Sequence, residues 1–195
     1  MKLALSLRFL TALLVCVLFL ASESIAQGFG SKKNPNSLKA GVSFVWLSDY
    51  DSQGVMFNNR YNHFFGDRFA AGLNIGLVSA SRYDDVKEIY SIKNTFFMAG
   101  LEASYDLLQN ESVAFRVGGG GNFRRRSEIN SNVEDEGTVD GSVAHIKTTD
   151  AGFSGFIEND FNILRNGVAG ARIEYFHYTK GTPVLAIGLH LGFKF

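Results

Sequence analysis

The sequence predicts an all-β protein, an eight-stranded antiparallel up-and-down β-barrel that spans a membrane. Three observations carry this prediction. Apolar residues alternate with small or polar residues in eight segments. Short and long connections alternate between these segments, and aromatic residues cluster near the segment ends. Neither a helical bundle nor a membrane helix has this period-two pattern.

Residues 1–26 have the three-part pattern of a cleaved secretory signal peptide. Lys2 and Arg8 precede an uncharged run over 9–21, and small residues follow at 24 and 26. The apolar run is short for a membrane-spanning helix. Cys16 lies in this segment and is the only cysteine, so we expect no disulfide and no thiolate metal site in the mature chain.

The mature chain divides into an arm and a barrel. Residues 27–37 are polar and contain glycine and proline, which predicts a flexible N-terminal arm. The barrel is predicted over 38–195. Nineteen basic residues balance nineteen acidic residues, and this excludes the strongly basic surface of a general nucleic-acid binder.

Eight segments alternate with the period of a β-strand. In a strand, successive side chains point to opposite faces, so each segment has one apolar face and one small or polar face. The four clearest segments, whose apolar faces carry no charge, are 38–46, 69–77, 97–107 and 185–195. The four weaker segments are 55–65, 113–123, 153–161 and 169–175.

The connections predict which end of the barrel faces the cell exterior. Short turns at one end and longer loops at the other are typical of bacterial outer-membrane barrels. The predicted turns are 66–67, 108–112 and 164–167, and the predicted loops are 49–54, 79–94, 127–148 and the compact 179–182. A ten-stranded barrel would need another hairpin from the polar 127–148 region, so eight strands are favoured.

The apolar face is predicted to meet lipid because the other face is rich in glycine and small residues. Such residues suit the crowded lumen of an eight-stranded barrel, whereas a soluble barrel would have a charged outer surface. Aromatic residues form two girdles. The girdle at the turns is Phe65, Phe69, Tyr105, Phe115, Phe161, Phe193 and Phe195, and the girdle at the loops is Trp46, Tyr50, Phe97, Phe123, Phe153 and Tyr178.

The last segment, 185–195, ends in an aromatic residue after alternating apolar positions. With the stretches 66–77 and 118–121, it resembles the outer-membrane protein β-barrel domain family, the small OmpA-type or porin-like barrels of Gram-negative bacteria. The resemblance implies a location in the outer membrane, among its lipid and lipopolysaccharide. It also implies that the barrel-assembly machinery reads the terminal segment, through Leu191, Phe193 and Phe195.

Charged residues on the inward faces are the first candidates for function. They are Arg68, Glu102, Asp106, Arg116, Arg124, Glu158, Asp160, Arg172 and Glu174. Isolated charges are costly in a narrow lumen, so opposite charges should pair. We expect a lumen network of Glu102, Arg116, Glu158, Arg172 and Glu174 that closes the barrel. In the alternative, Glu102, Arg116, Glu158 and Arg172 line a gated solute path.

Three consecutive cations, Arg124, Arg125 and Arg126, end the fifth segment at the loop end. Guanidinium groups match phosphate oxygens, so these arginines are candidates for contact with lipopolysaccharide. The alternative is a solvated strand end whose charges are balanced by Glu134, Asp135 and Glu136 in the same loop.

The region around His177 loosely resembles the His-x-Ser-Asn motif of lipid A 3-O-deacylases, which are also outer-membrane barrels. That resemblance implies a general base at His177 and a nucleophile at Thr179. However, threonine replaces serine, Lys180 replaces asparagine, and the last segment offers no carboxylate to orient the histidine. We therefore expect an interfacial histidine and no enzyme. The four histidines lack metal-pair spacing, and we expect no metal or cofactor.

The predicted function is that of an envelope scaffold, closed or only narrowly conducting, which presents the loops 79–94 and 127–148 outside the cell. Loops on a rigid scaffold are where binding usually resides, so an extracellular ligand is expected there. A small-solute channel is the main alternative, and a lipid A-modifying hydrolase is a remote one.

Overall fold

The computed structural model describes residues 34–48, 52–84, 89–108, 112–133, 142–163 and 166–195. The predicted signal peptide and residues 27–33 of the predicted arm lie outside the described residues. Within the described ranges, no helix combines the length and the apolar content needed to cross a membrane.

Eight antiparallel strands form a closed barrel in which each strand pairs with its neighbours in sequence and the first pairs with the last. This confirms the predicted fold class. The strands are β1 (Asn36–Leu47), β2 (Ser52–Phe65), β3 (Phe69–Asp84), β4 (Ile89–Asp106), β5 (Val113–Val133), β6 (Ser142–Ile163), β7 (Gly167–Tyr178) and β8 (Val184–Lys194).

Two hairpins extend further than their apolar pattern predicts. The β3–β4 pairing continues to Asp84 and Ile89, and the β5–β6 pairing continues to Val133 and Ser142. Most of the predicted loops 79–94 and 127–148 is therefore paired strand. Backbone hydrogen bonds sustain a hairpin beyond the point where lipid-facing residues end, so the loss of apolar alternation does not mark the end of a strand.

The barrel closes two residues earlier in the chain than predicted. β1 begins at Asn36, inside the predicted arm, and pairs with β8 in an antiparallel register. The Asn36 amide donates to the Phe195 carbonyl at 3.1 Å, and the Phe195 amide donates to the Asn36 carbonyl at 2.9 Å. The polar composition around Asn36 hides this pairing because backbone groups, not side chains, make it.

The outer wall of the barrel is apolar and exposed. Leu101 and Leu189 are 68% and 69% exposed, and the large apolar residues of the other strands show the same outward placement. A contiguous exposed surface of this kind requires an apolar solvent around it. The predicted assignment of faces, with apolar side chains outward, is therefore correct.

The lumen is filled by inward-facing side chains, and small residues make room for large ones. Gly118 on β5 lies opposite Phe156 on β6. A Cβ atom at Gly118 would lie 2.5 Å from the Phe156 ring, so only glycine fits there. The filling has two layers, a charged layer toward the turns and an apolar layer toward the loops.

Candidate functional site

The charged layer of the lumen is centred on Glu158 of β6. Its carboxylate accepts hydrogen bonds from Lys39 on β1, Arg60 on β2, Arg116 on β5 and Arg172 on β7. The Arg172 contact is 3.2 Å and the Arg116 contact is 3.4 Å. One carboxylate thus connects five of the eight strands through the interior of the barrel.

Asp160 lies two residues away on the same inward face of β6. Lys39 Nζ lies 2.6 Å from its carboxylate, and Arg116 pairs with the same oxygen. His190 Nε2 of β8 lies 2.6 Å from the other oxygen. Lys39 and Arg116 therefore each contact both buried carboxylates. Because His190 contacts Asp160, β8 is joined to the strands already connected through Glu158.

Arg172 joins the remaining predicted members of the layer. Its guanidinium contacts Glu102 at 2.6 Å and Glu174 at 2.9 Å, and it stacks over the ring of Phe156 at 3.5 Å. The structure thus brings together all five residues of the predicted lumen network, Glu102, Arg116, Glu158, Arg172 and Glu174. All five are at most 7% exposed.

Three further members were missed from the sequence: Lys39, Arg60 and His190. Lys39 alternates with Leu38 and Ala40, and His190 alternates with two leucines, so the period-two pattern alone could have placed both inward. Arg60 lies in a segment whose alternation is imperfect, and its inward position becomes clear only from its pairing with Asn74 and Lys39.

Arg68 was expected inside the barrel but lies outside it. It occupies the exposed turn between β2 and β3, and its guanidinium donates to the Tyr105 hydroxyl at 2.8 Å. The turn is one residue longer than predicted, because Gly66 takes a positive φ of 73° and β3 begins only at Phe69. Arg68 therefore precedes the strand instead of starting it.

The donor set Glu158, Asp160 and His190 has the geometry of a metal site but not the electrostatics. One donor atom from each residue lies within 4.8 Å of the others. However, Lys39, Arg60 and Arg116 already occupy the carboxylate oxygens. A metal cation would have to displace these positive charges, so the residues do not fit a metal ion.

The apolar layer lies above the charged layer and was not foreseen. Its members come from six strands and are at most 3% exposed: Val45, Leu47, Met56, Val78, Ala80, Phe96, Met98, Phe176, Tyr178, Val184 and Ala186. The sequence signal is a run of apolar residues on both faces near the loop ends, as at 45–47, 96–98 and 184–186. Side chains on both faces are apolar there because one face meets lipid and the other packs in the lumen.

Tyr178 belongs to this layer and not to the outer aromatic girdle. Its ring stacks on Phe176 with centroids 6.4 Å apart, and its hydroxyl lies 3.1 Å from the sulfur of Met98. The girdle prediction for Tyr178 is therefore wrong. Nearness to a strand end suggested a girdle position, but Tyr178 shares the inward parity of Arg172, Glu174 and Phe176.

Arg124 lies opposite Met98, at the height of the apolar layer. It donates to the carbonyls of Thr182 and Lys180 at 2.8 and 2.9 Å and pairs with Asp150 at 3.0 Å. Its guanidinium lies 3.8 Å from the centroid of the Tyr178 ring. This fully buried arginine thus holds the connection between β7 and β8 against the lumen, beside the apolar layer.

The three consecutive arginines do not act as one surface. Arg124 and Arg126 face the lumen and are 0% and 8% exposed, and only Arg125 is exposed on the outer wall. Alternation along β5 separates them, so lipopolysaccharide contact by Arg124 and Arg126 is contradicted by their burial. Arg126 pairs with Glu128 at 3.3 Å, while Glu134, Asp135 and Glu136 lie outside the described residues.

His177 and Thr179 are not arranged as a base and a nucleophile. The His177 ring packs on Phe153 with centroids 5.1 Å apart, and the Thr179 hydroxyl donates to the Ala151 carbonyl at 3.0 Å. Across the described parts of the chain, no hydrogen bond joins His177 to Thr179 or to a carboxylate. The arrangement is that of an exposed histidine beside an interfacial aromatic residue.

Comparison with solved structures identifies the architecture. The chain is similar to a major outer membrane protein of Thermus thermophilus, with 13% identity over 82% of this chain and 99% of that chain and a TM-score of 0.58. It is also similar to Neisserial surface protein A, with 14% identity over 82% and 96% and a TM-score of 0.57. The fold is that of a small outer-membrane β-barrel.

A third similar structure is Ail, the attachment invasion locus protein of Yersinia pestis, in complex with the heparin analogue sucrose octasulfate. This barrel is 18% identical over 84% of the present chain and 100% of Ail, with a TM-score of 0.56. No protein-family model and no curated protein matches the sequence. The apolar wall of the barrel supports the outer-membrane location that the sequence predicts.

Proposed function

We propose that this outer-membrane barrel is a closed envelope scaffold that holds the β3–β4 and β5–β6 hairpins outside the cell. The observation that carries the proposal is the filling of the lumen by two buried layers in series. A solute would have to pass the ion pairs around Glu158 and then the packed side chains around Phe96 and Phe176. Both layers oppose conduction.

The main alternative, a solute channel, uses the same charged residues differently. Channel-lining charges contact water and leave an open path between them. Here Arg116 and Arg172 are both 5% exposed and bonded to carboxylates. This pairing favours a structural role for the charges over a solute path.

Conductance in a planar bilayer tests the proposal. We expect the purified, refolded protein to be silent, and we expect an Arg116→Ala variant to be silent as well because the apolar layer remains. Discrete and reproducible channels in the wild type, altered in conductance or selectivity by Arg116→Ala, would overturn the scaffold proposal in favour of a porin.

The terminal strand is proposed as the recognition element for the barrel-assembly machinery. Leu191, Phe193 and Phe195 are 64%, 50% and 50% exposed on one face of the barrel wall near its turn end. We expect Phe193→Ala to lower the amount of folded protein in cells while leaving spontaneous refolding into detergent unchanged. Phe153→Ala, at the opposite end of the wall, is the control. If Phe193→Ala lost as much folded protein on refolding into detergent as it loses in cells, the substitution would be acting on stability instead.

The remote alternative, a lipid A-modifying hydrolase, has a direct assay. We expect the mass of lipid A in cells that express the protein to match that of cells without it, and His177→Ala to change nothing. A mass loss equal to one acyl chain, abolished by His177→Ala, would support the enzyme.

A further inference from the structure

The outer wall carries a second set of cations that the lumen does not use. We propose that Arg125, Lys147 and Lys93 bind the phosphate group of a phosphorylated glycolipid, lipid A, in the outer leaflet. The inference deepens the proposed function by assigning a lipid partner to the scaffold. It depends on the barrel spanning the outer membrane but not on whether its lumen conducts.

The three cations come from three neighbouring strands and lie on one face. Arg125 of β5 pairs with Phe97 of β4, and the next outward residue, Ser127, pairs with Lys147 of β6. Arg125 and Lys147 are therefore diagonal neighbours, within reach of each other's long side chains. Ser127 also pairs with Thr95 of β4, and Lys93 is the next outward residue of β4 toward the loop end.

No carboxylate balances this cluster among the described residues of the outer face. The two nearby acids, Glu128 and Asp150, point inward, where they are 1% and 3% exposed and pair with Arg126 and Arg124. Both acids therefore face the lumen with Arg124 and Arg126, while Arg125 and Lys147 lie on the outer face of the same strands. In the described parts of the chain, Arg125, Lys147 and Lys93 have no ion-pair partner, and all three side chains are exposed.

The cluster lies at the height of a lipid headgroup. Leu77, Phe97, Phe123 and Phe153 are exposed apolar residues of the wall below the cluster, and the next outward residues toward the loops on β3, β4 and β5 are Ser79, Thr95 and Arg125. A phosphate held there would have its acyl chains beside the apolar wall below. Free anions lack that second contact.

A shallow depression of about 270 Å³ joins the two parts of the proposed site. Leu77 and Phe97 form its apolar side, while Arg125, Ser127 and Lys147 form its polar side. Above it, the Ser127 hydroxyl lies 2.9 Å from His145 Nε2. Guanidinium and ammonium donors beside a hydroxyl suit phosphate oxygens, and the apolar side suits the start of an acyl chain.

Native mass spectrometry of the detergent-solubilised protein, titrated with lipid A, tests the site. We expect an Arg125→Gln/Lys147→Gln variant to bind bis-phosphorylated lipid A about tenfold or more weakly than the wild type, because charge-assisted hydrogen bonds are lost. Lys180→Gln removes an exposed charge at the same end of the barrel, outside the cluster, and should leave affinity unchanged. The wild type should bind dephosphorylated lipid A as weakly as the double variant binds phosphorylated lipid A.

Three outcomes would overturn the proposal. These are equal affinity of the wild type and the double variant, equal affinity for phosphorylated and dephosphorylated lipid A, and full displacement of lipid A by millimolar inorganic phosphate. The folded-form electrophoretic mobility of each variant verifies its barrel. If the double variant does not fold, Lys147→Gln alone is used, and it should lower the affinity several-fold.

Discussion

Glu158 is bonded to four cations, and these depend on it unequally. Lys39 and Arg116 also contact Asp160, and Arg172 also contacts Glu102 and Glu174. Among the described residues, Arg60 pairs with Glu158 alone. Removing the Glu158 charge therefore leaves the Arg60 guanidinium, which is 1% exposed, as the uncompensated buried charge.

We expect Glu158→Gln to lower the free energy of unfolding by about 3–5 kcal/mol, the usual effect of breaking a buried ion pair from one side. Denaturant-induced unfolding of the refolded barrel measures it. Glu128→Gln, the same change at a buried carboxylate with one arginine partner, should cost less. Adding Arg60→Met to Glu158→Gln should recover part of the loss, and strict additivity of the two changes would contradict the assignment.

Gly170 lies where the lumen has no room for a larger side chain, so its substitution tests steric packing and not charge. A Cβ at this position would lie 2.6 Å from His190 Nε2 and 2.2 Å from the Asn159 carbonyl oxygen. The His190 ring is held by its 2.6 Å contact with Asp160 and has little freedom to move aside. Gly170→Ala should therefore destabilise the barrel by about 1–3 kcal/mol, as overpacking does.

Gly121 is the matched control for Gly170. It is also a strand glycine, but it faces the outer wall, and no atom lies within 4 Å of a Cβ built there. Gly121→Ala should leave stability unchanged or raise it slightly, since alanine restricts the unfolded chain. A loss equal to that of Gly170→Ala would contradict the packing argument and indicate a general effect of substitution in strands.

At the scale of the element, alternation explains both what could be predicted and what could not. The inward position of Glu102, Arg116 and Arg172 follows from period two, since one register fixes a whole strand. The separation of Arg124 from Arg125 follows from the same rule. The hydrogen bonds from Arg124 to the β7–β8 connection could not be predicted, because they join residues more than fifty positions apart through the interior.

The Arg124 contacts predict that the β7–β8 connection is held in place by one side chain. Arg124→Gln should release the Lys180 and Thr182 carbonyls, and hydrogen exchange over 179–182 should rise at least about tenfold, the effect of losing about 1.4 kcal/mol of local stability. Hydrogen–deuterium exchange with mass spectrometry measures it. Arg125→Gln, one residue along and on the other face, should leave exchange there unchanged.

An unchanged exchange rate in Arg124→Gln would show that the connection is stable without the arginine. The hydrogen bond that the Thr179 amide donates to the Ala151 carbonyl, at 3.0 Å, would then be the contact that holds the connection. The β6–β7 pairing at Gly152 and Tyr178 lies directly below and serves as an internal reference for exchange.

For the whole molecule, the sequence predicted the barrel and its filling by charge because both follow from alternation within single strands. The apolar layer was missed for a different reason. Its residues are separated along the chain, and each one looks like an ordinary member of an apolar segment. The closed register is what shows that these inward residues, among them Phe96 of β4, Phe176 of β7 and Val45 of β1, meet at one end of the lumen.

Two layers in series make a further prediction about closure. A path through the barrel needs an opening in both layers, so disrupting either layer alone should leave the protein silent in a planar bilayer. Arg116→Ala opens the charged layer only, and Phe96→Ala with Phe176→Ala opens the apolar layer only, where both rings are fully buried. The triple variant should be the first to conduct.

The control for the triple variant combines Arg116→Ala with truncation of two outward aromatics, Phe123 and Phe153, which removes similar ring volume from the outer wall. That variant should be silent because lipid, not lumen, occupies the space created. Conduction by Arg116→Ala alone would contradict the series arrangement, since the apolar layer would then offer no barrier. Conduction by Phe96→Ala with Phe176→Ala alone would mean that the ion pairs around Glu158 open to water once the layer above them is removed.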